Sequence, residues 1–144
     1  MTISDPQTRK VILGVAASDS HAVANHLIAF TLRDEGYLVI NLGTCTPIEE
    51  FVAACEEHPD AEALVIGSLN GHAWDDLRGL SRAKEAGRIR CPVVLGGNLS
   101  VGSHKGAGAD ERLYSIGVDH ILADPAQLPL LLDELRAHAL REAS

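Results

Sequence analysis

The sequence predicts an α/β domain: a doubly wound, five-stranded parallel sheet of order 2-1-3-4-5 with helices on both faces. Two observations lead there. Short apolar runs alternate five times with helical patterns along the chain. The runs, such as Val11-Ile12-Leu13-Gly14-Val15-Ala16, are continuous rather than alternating. Strands of that kind are buried on both sides, which is the mark of a parallel sheet between helical layers. The 144 residues suit one domain over 1–144 with its own core.

Taken in order, the first strand spans about Lys10 to Ala16. A helix follows from about Ala22 to Glu35, with Val23, Leu27, Phe30 and Leu32 near one face, and stops at Gly36. The second strand is Tyr37 to Asn41. Thr46-Pro47 opens a second helix reaching Glu57, since proline is well placed at a first helical position. His58-Pro59-Asp60 breaks the chain before a third strand, Ala63 to Gly67. A polar loop leads to a third helix, about Trp74 to Ala86. The fourth strand is Pro92 to Leu95, followed by a Gly- and Ser-rich loop to about Ala109. A short helix from Asp110 to Ile116, a strand from His120 to Leu122 and a last helix to about Arg141 complete the chain. For this size and element count the commonest arrangement is the flavodoxin-like order named above.

Composition narrows the function. Apolar residues make up 46% and charged residues 22%, with mean hydropathy +0.06, which argues for a globular fold. The net charge of −8 disfavours a nucleic-acid partner. No apolar run approaches membrane-spanning length, and the polar start does not read as a signal peptide. Cys45, Cys55 and Cys91 are odd in number and widely spaced, as free thiols in a reducing cytoplasm would be. No CxxC or HxxxH spacing suggests zinc. Five aromatic residues leave an aliphatic core.

In sheets of this kind ligands bind at the carboxyl ends of the strands, where the winding direction switches, here between strands 1 and 3. Three unusual loops meet there. The loop after strand 1 carries Ser18-Asp19-Ser20-His21-Ala22. The loop after strand 3 carries Gly67-Ser68-Leu69-Asn70-Gly71-His72. The loop after strand 4 carries Gly96-Gly97-Asn98-Leu99-Ser100-Val101-Gly102. Four glycines at adjacent strand ends leave room for a ligand close to the backbone. His21, two residues after Asp19, has the spacing of a metal-bound imidazole oriented by a carboxylate. The plainer reading of that pair is a helix cap and an ordinary first-turn histidine.

Asp19-x-His21-x-x-Ala24, Gly67-Ser68-Leu69 and Gly96-Gly97, in that order, resemble the Asp-x-His-x-x-Gly, Ser-x-Leu and Gly-Gly motifs of cobalamin-binding domains. Nearly the whole chain is similar to the small subunits of glutamate (methylaspartate) mutases. The resemblance implies His21 as the lower axial ligand of cobalt and Asp19 as its hydrogen-bond partner, with Ser18 to Ala22 forming the loop beneath the corrin. It implies Gly67, Ser68 and Leu69 as one wall of a slot for the detached nucleotide tail. Gly96 and Gly97 form the other wall, continued by Asn98, Leu99, Ser100, Val101 and Gly102. It further implies adenosylcobalamin as cofactor, radical carbon-skeleton isomerisation as chemistry, and a separate large barrel-type subunit, two small with two large, without which the chain is inactive.

Two positions depart from the pattern. Ala24 stands where the motif has glycine, and Gly67 where it has its first serine. Losing a hydroxyl from a buried base costs on the order of 1 kcal/mol or more, so either weaker cofactor affinity or a water filling the gap is expected. Strand alternation points the adjacent Ser68 to the other face. The alternative within the same domain family is a corrinoid carrier or a sensor. Such proteins commonly carry helical segments ahead of the domain, whereas the first strand here starts by about residue 10. A phosphoacceptor would need an aspartate at the end of strand 3, where Gly67-Ser68 stands, and a flavin site would meet the Asp19 carboxylate where phosphate should lie. His58, His120, His138 and the acidic pairs read as surface or structural groups; His72, on the strand-3 loop, faces either the cofactor or a partner's site or else solvent, His104 and Lys105 either a partner or solvent, and the pattern leaves the side of His26 open.

Overall fold

The computed structural model describes residues 9–16, 22–68, 73–96, 107–122 and 125–143. Strands β1 (Lys10–Val15), β2 (Leu38–Asn41), β3 (Ala63–Gly67), β4 (Val93–Gly96) and β5 (His120–Leu122) form one sheet in the order β2-β1-β3-β4-β5. All four pairings are parallel. The helices are α1 (Ala22–Asp34), α2 (Ile48–Glu57), α3 (Ala73–Asp76), α4 (Leu80–Glu85), α5 (Ala107–Ser115) and α6 (Leu128–Ala143), the last preceded by a 3₁₀ turn, Pro125–Gln127.

Alternation along the strands divides the core in two. Ile12, Leu64, Ile66, Val93 and Leu95 pack against Phe51, Val52 and Cys55 of α2, Leu80 and Ala83 of α4 and Leu113 of α5. Val11, Leu13, Ala63, Val65 and Val94 pack against Ala29 and Leu32 of α1 and Leu128 and Leu132 of α6. Phe51 is fully buried, and it is Gly14 that makes room for it. A β-carbon on Gly14 would lie 2.7 Å from the Phe51 ring, closer than packed carbon atoms tolerate.

The opposite edge of the sheet is tied by Arg9. Its guanidinium bonds both Glu62 carboxylate oxygens (2.7 and 2.8 Å), the Leu132 carbonyl (3.1 Å) and Asp133, and stacks 4.7 Å from the centre of the Tyr37 ring. The Glu62 hydrogen bonds hold this guanidinium well above its ordinary pKa, against the opposing effect of burial. One side chain thus joins the entries of β1, β2 and β3 to α6.

Three expectations need correction. In the first helix, Val23, Leu27 and Phe30 do not share the buried face with Leu32. They are 73%, 63% and 74% exposed, while Asn25, Ala29 and Leu32 face the sheet. Both sets run i, i+4, i+7, and at about 100° per residue they lie on nearly opposite sides. Hydrophobicity alone favoured the wrong one. Small Ala29 lets the helix approach the sheet, and Asn25 donates from Nδ2 to Asn41 Oδ1 at 2.9 Å, which fixes the choice. The single third helix is two short ones, α3 and α4, separated at Gly79, whose φ of 96° is left-handed. The fourth helix starts at Ala107, inside the stretch read as loop. The other boundaries differ by a residue or two, as helix and strand ends do.

Candidate functional site

The carboxyl edge is held by backbone hydrogen bonds up to the last described residue of each strand. Ala16 N–H donates to Gly67 O (3.0 Å), Ser68 N–H to Gly96 O (2.9 Å), and Thr46 N–H to Val15 O (2.9 Å). Because β1, β3 and β4 are parallel neighbours, the three loops of interest leave the sheet side by side. Of the residues assigned to the site, the structure brings Ala22, Gly67, Ser68 and Gly96 to this edge. Ser18, Asp19, Ser20, His21, Leu69, Gly97, Asn98, Leu99, Ser100, Val101 and Gly102 lie outside the described residues, as do Asn70, Gly71, His72 and His104.

Register defines the surface at the edge. Val15, Gly67, Gly96 and Leu122 are partners across β1, β3, β4 and β5. The row lies on the α1/α6 side, since Val11, Leu13 and Val65 pack there and Leu122 joins the same cluster. A β-carbon on Gly67 would meet only Gly14 O at 3.8 Å and Val15 Cγ2 at 3.9 Å. One on Gly96 would meet only Leu122 O at 3.8 Å. All these atoms belong to neighbouring strands. Among the described residues, no helix side chain comes within 4 Å of either position, so no described helix covers the sheet where the two glycines meet. A flat group can lie there against backbone.

Two buried polar atoms lack hydrogen-bond partners among the described residues: Ser68 Oγ at the end of β3 and Asn25 Oδ1 on α1. Both side chains are almost completely buried. Orphaned acceptors are uncommon in protein interiors, and both lie on elements that border this edge. Ser68 has the strand parity of Leu64 and Ile66, on the α2 to α5 side, so its hydroxyl does not replace the one missing at Gly67. Asn25 escaped the sequence reading. It stands one helical turn after His21, at a spacing that a pattern of apolar residues does not flag.

A depression of about 280 Å³ lies at the other end of the sheet, among residues that include Asp60, Glu62, Arg90 and Cys91. These precede β3 and β4, at amino ends, whereas ligands of such sheets bind at carboxyl ends. Cys91 and Cys55 are neighbours there. Hydrogen bonding to Cys91 and burial push the Cys55 thiol up, away from the reactive thiolate. Cys45 is exposed.

Residues 9–127 match the family model for the B12 binding domain. The chain is 35% identical over 136 residues to the glutamate mutase sigma subunit of Halobacterium salinarum, covering 94% of this chain and 89% of that one. The chain belongs to the glutamate mutase sigma subunit family of B12-binding domains. To the sigma subunit of Treponema denticola it is 33% identical over 89% of this chain and 92% of that one. Among solved structures it is similar to a cobalamin-binding protein from Desulfitobacterium hafniense, with TM-score 0.72 and 19% identity. That likeness covers 90% of this chain and 60% of the other, so the chain spans about three fifths of that longer protein. At such identity the likeness speaks for the fold. Among the described residues, no helix is long and apolar enough to cross a membrane.

Proposed function

We propose that this chain is the cofactor-carrying small subunit of an adenosylcobalamin-dependent glutamate mutase, working in the cytoplasm with a separate large subunit that holds the substrate. The observation that carries the reading is the Gly67–Gly96 step at the carboxyl edge, which no described helix covers, in a chain that matches sigma subunits over nearly its full length. Bound adenosylcobalamin would supply radical chemistry through its cobalt–carbon bond. This chain's part is to bind, orient and tune it.

His21, between β1 and α1 in the sequence, would give its imidazole to cobalt. Asp19 would accept the other ring N–H, fixing the tautomer and raising the basicity of the ligand. Ser18, Ser20 and Ala22 would complete the loop under the corrin. Gly67 and Gly96 would floor the slot for the nucleotide tail, with Ser68, Leu69 and Gly97 to Gly102 along its sides. The substrate would lie in the large barrel-type subunit, in an assembly of two small and two large chains, and the small chain alone would be inactive.

The test is a dark titration of the protein with methylcobalamin, followed by visible absorption, for wild type and His21→Ala. The expected result is a histidine-ligated spectrum with the wild type that the variant does not give. Identical spectra from the two proteins would remove His21 as the ligand.

A further inference from the structure

Among the described residues, no element covers the outer face of α1. Val23, Leu27 and Phe30 form an i, i+4, i+7 stripe that is 73%, 63% and 74% exposed. The opposite stripe, Asn25, Ala29 and Leu32, already anchors the helix. A helix with apolar residues on two opposite sides is normally covered on both. The surroundings are equally unusual. From Ala22 to Leu32 the chain carries no Asp, Glu, Lys or Arg, although it holds 20 acidic and 12 basic residues in all. This is a neutral patch on an acidic protein, cheap to strip of water and free of charge that would need a counter-charge.

We propose that the Val23–Leu27–Phe30 stripe is the place where the large mutase subunit docks. This rests on the reading given under Proposed function. Two arguments select that occupant over a second copy of this chain. The first is position. Helix α1 begins at Ala22, the residue after His21, so the stripe starts at the rim of the site where cofactor must pass between subunits. An interface over the corrin extends onto Val23 and then Leu27 without a break. The second is area. Three side chains offer on the order of a few hundred Å², below the roughly 800 Å² per partner that a stable complex buries. The stripe suffices only as a continuation of a larger contact, and the cofactor edge supplies one. The bound surface expected is a neutral, apolar groove on the large subunit beside its cofactor-facing opening.

The test uses full-length Leu27→Glu/Phe30→Glu and, as the milder pair, Leu27→Ala/Phe30→Ala. Circular dichroism reports folding, and methylcobalamin titration of the small chain alone reports the cofactor site. Calorimetric titration with the large subunit from the same source, with cobalamin present, reports docking. The expected result is unchanged folding and cobalamin affinity, with affinity for the large subunit lowered at least about tenfold by the alanine pair and more by the glutamate pair. Unchanged large-subunit affinity for the glutamate pair overturns the proposal. So does a wild-type dimer in sedimentation that the glutamate pair makes monomeric, because the stripe then joins two copies of this chain. A wild-type chain that binds neither cobalamin nor the large subunit fails earlier, and takes the functional reading with it.

Discussion

At Gly67 the smallest possible side chain stands where the family motif has serine. The position is not glycine for want of space. Among the described residues a β-carbon there meets nothing nearer than 3.8 Å, and the residue sits in a regular strand. Gly14, one strand away on the other face, is the contrast, with the Phe51 ring 2.7 Å from where a β-carbon would lie. Gly67→Ser should therefore fold as the parent does and return a hydroxyl to the slot. Cobalamin affinity is expected to rise about fivefold, the equivalent of one hydrogen bond of roughly 1 kcal/mol. Absorption titration of the two proteins decides it, and equal or weaker binding by the serine variant would mean the hydroxyl finds no partner. At this scale the sequence was legible in part. The motif positions could be named, but whether a substituted one had room was a matter of the neighbouring strand.

Among the elements, α6 and the entry to the sheet depend on one side chain. Arg9 reaches Glu62, Leu132, Asp133 and Tyr37 from the start of β1, and its side chain is only 18% exposed. Arg9→Met keeps the aliphatic stem and removes the fork, leaving the Glu62 carboxylate half-buried beside it. The expected loss is about 2 kcal/mol in urea unfolding, within the range for a charge-assisted, bidentate contact. A loss below about 0.5 kcal/mol would class Arg9 with ordinary surface pairs. Element existence was readable from apolar runs and breakers, and all five strands fall where expected. The face of α1 was not. Two stripes of equal spacing compete there, and the one that wins contains an asparagine. Nor was the break at Gly79, since a glycine inside a helical pattern is tolerated as often as it interrupts.

For the whole molecule, cofactor binding and stability are linked. A ligand that binds only the folded chain adds about 2.7 kcal/mol at a hundredfold excess over Kd. In a domain of this size that raises Tm by roughly 5–10 °C. Methylcobalamin should give such a shift in a thermal scan, and His21→Ala should shrink it. A Tm indifferent to saturating cobalamin would contradict the site at the carboxyl edge.

The sequence by itself determined the parallel sheet and its strand order, and it put the motif residues at the carboxyl ends of strands. These follow from local facts: continuous apolar runs, the helices between them, and motif residues at strand ends. Tertiary structure alone decided which face of α1 is buried, that the row through Gly67 and Gly96 is uncovered by any described helix, and that Asn25 and Ser68 are buried with oxygens that find no partner among the described residues. The physical reason is distance along the chain. Periodicity reports what a residue does within its own element. Coverage and partnership depend on atoms brought from elements 16 to more than 100 residues away, as Asn41 is to Asn25 and Asp133 to Arg9.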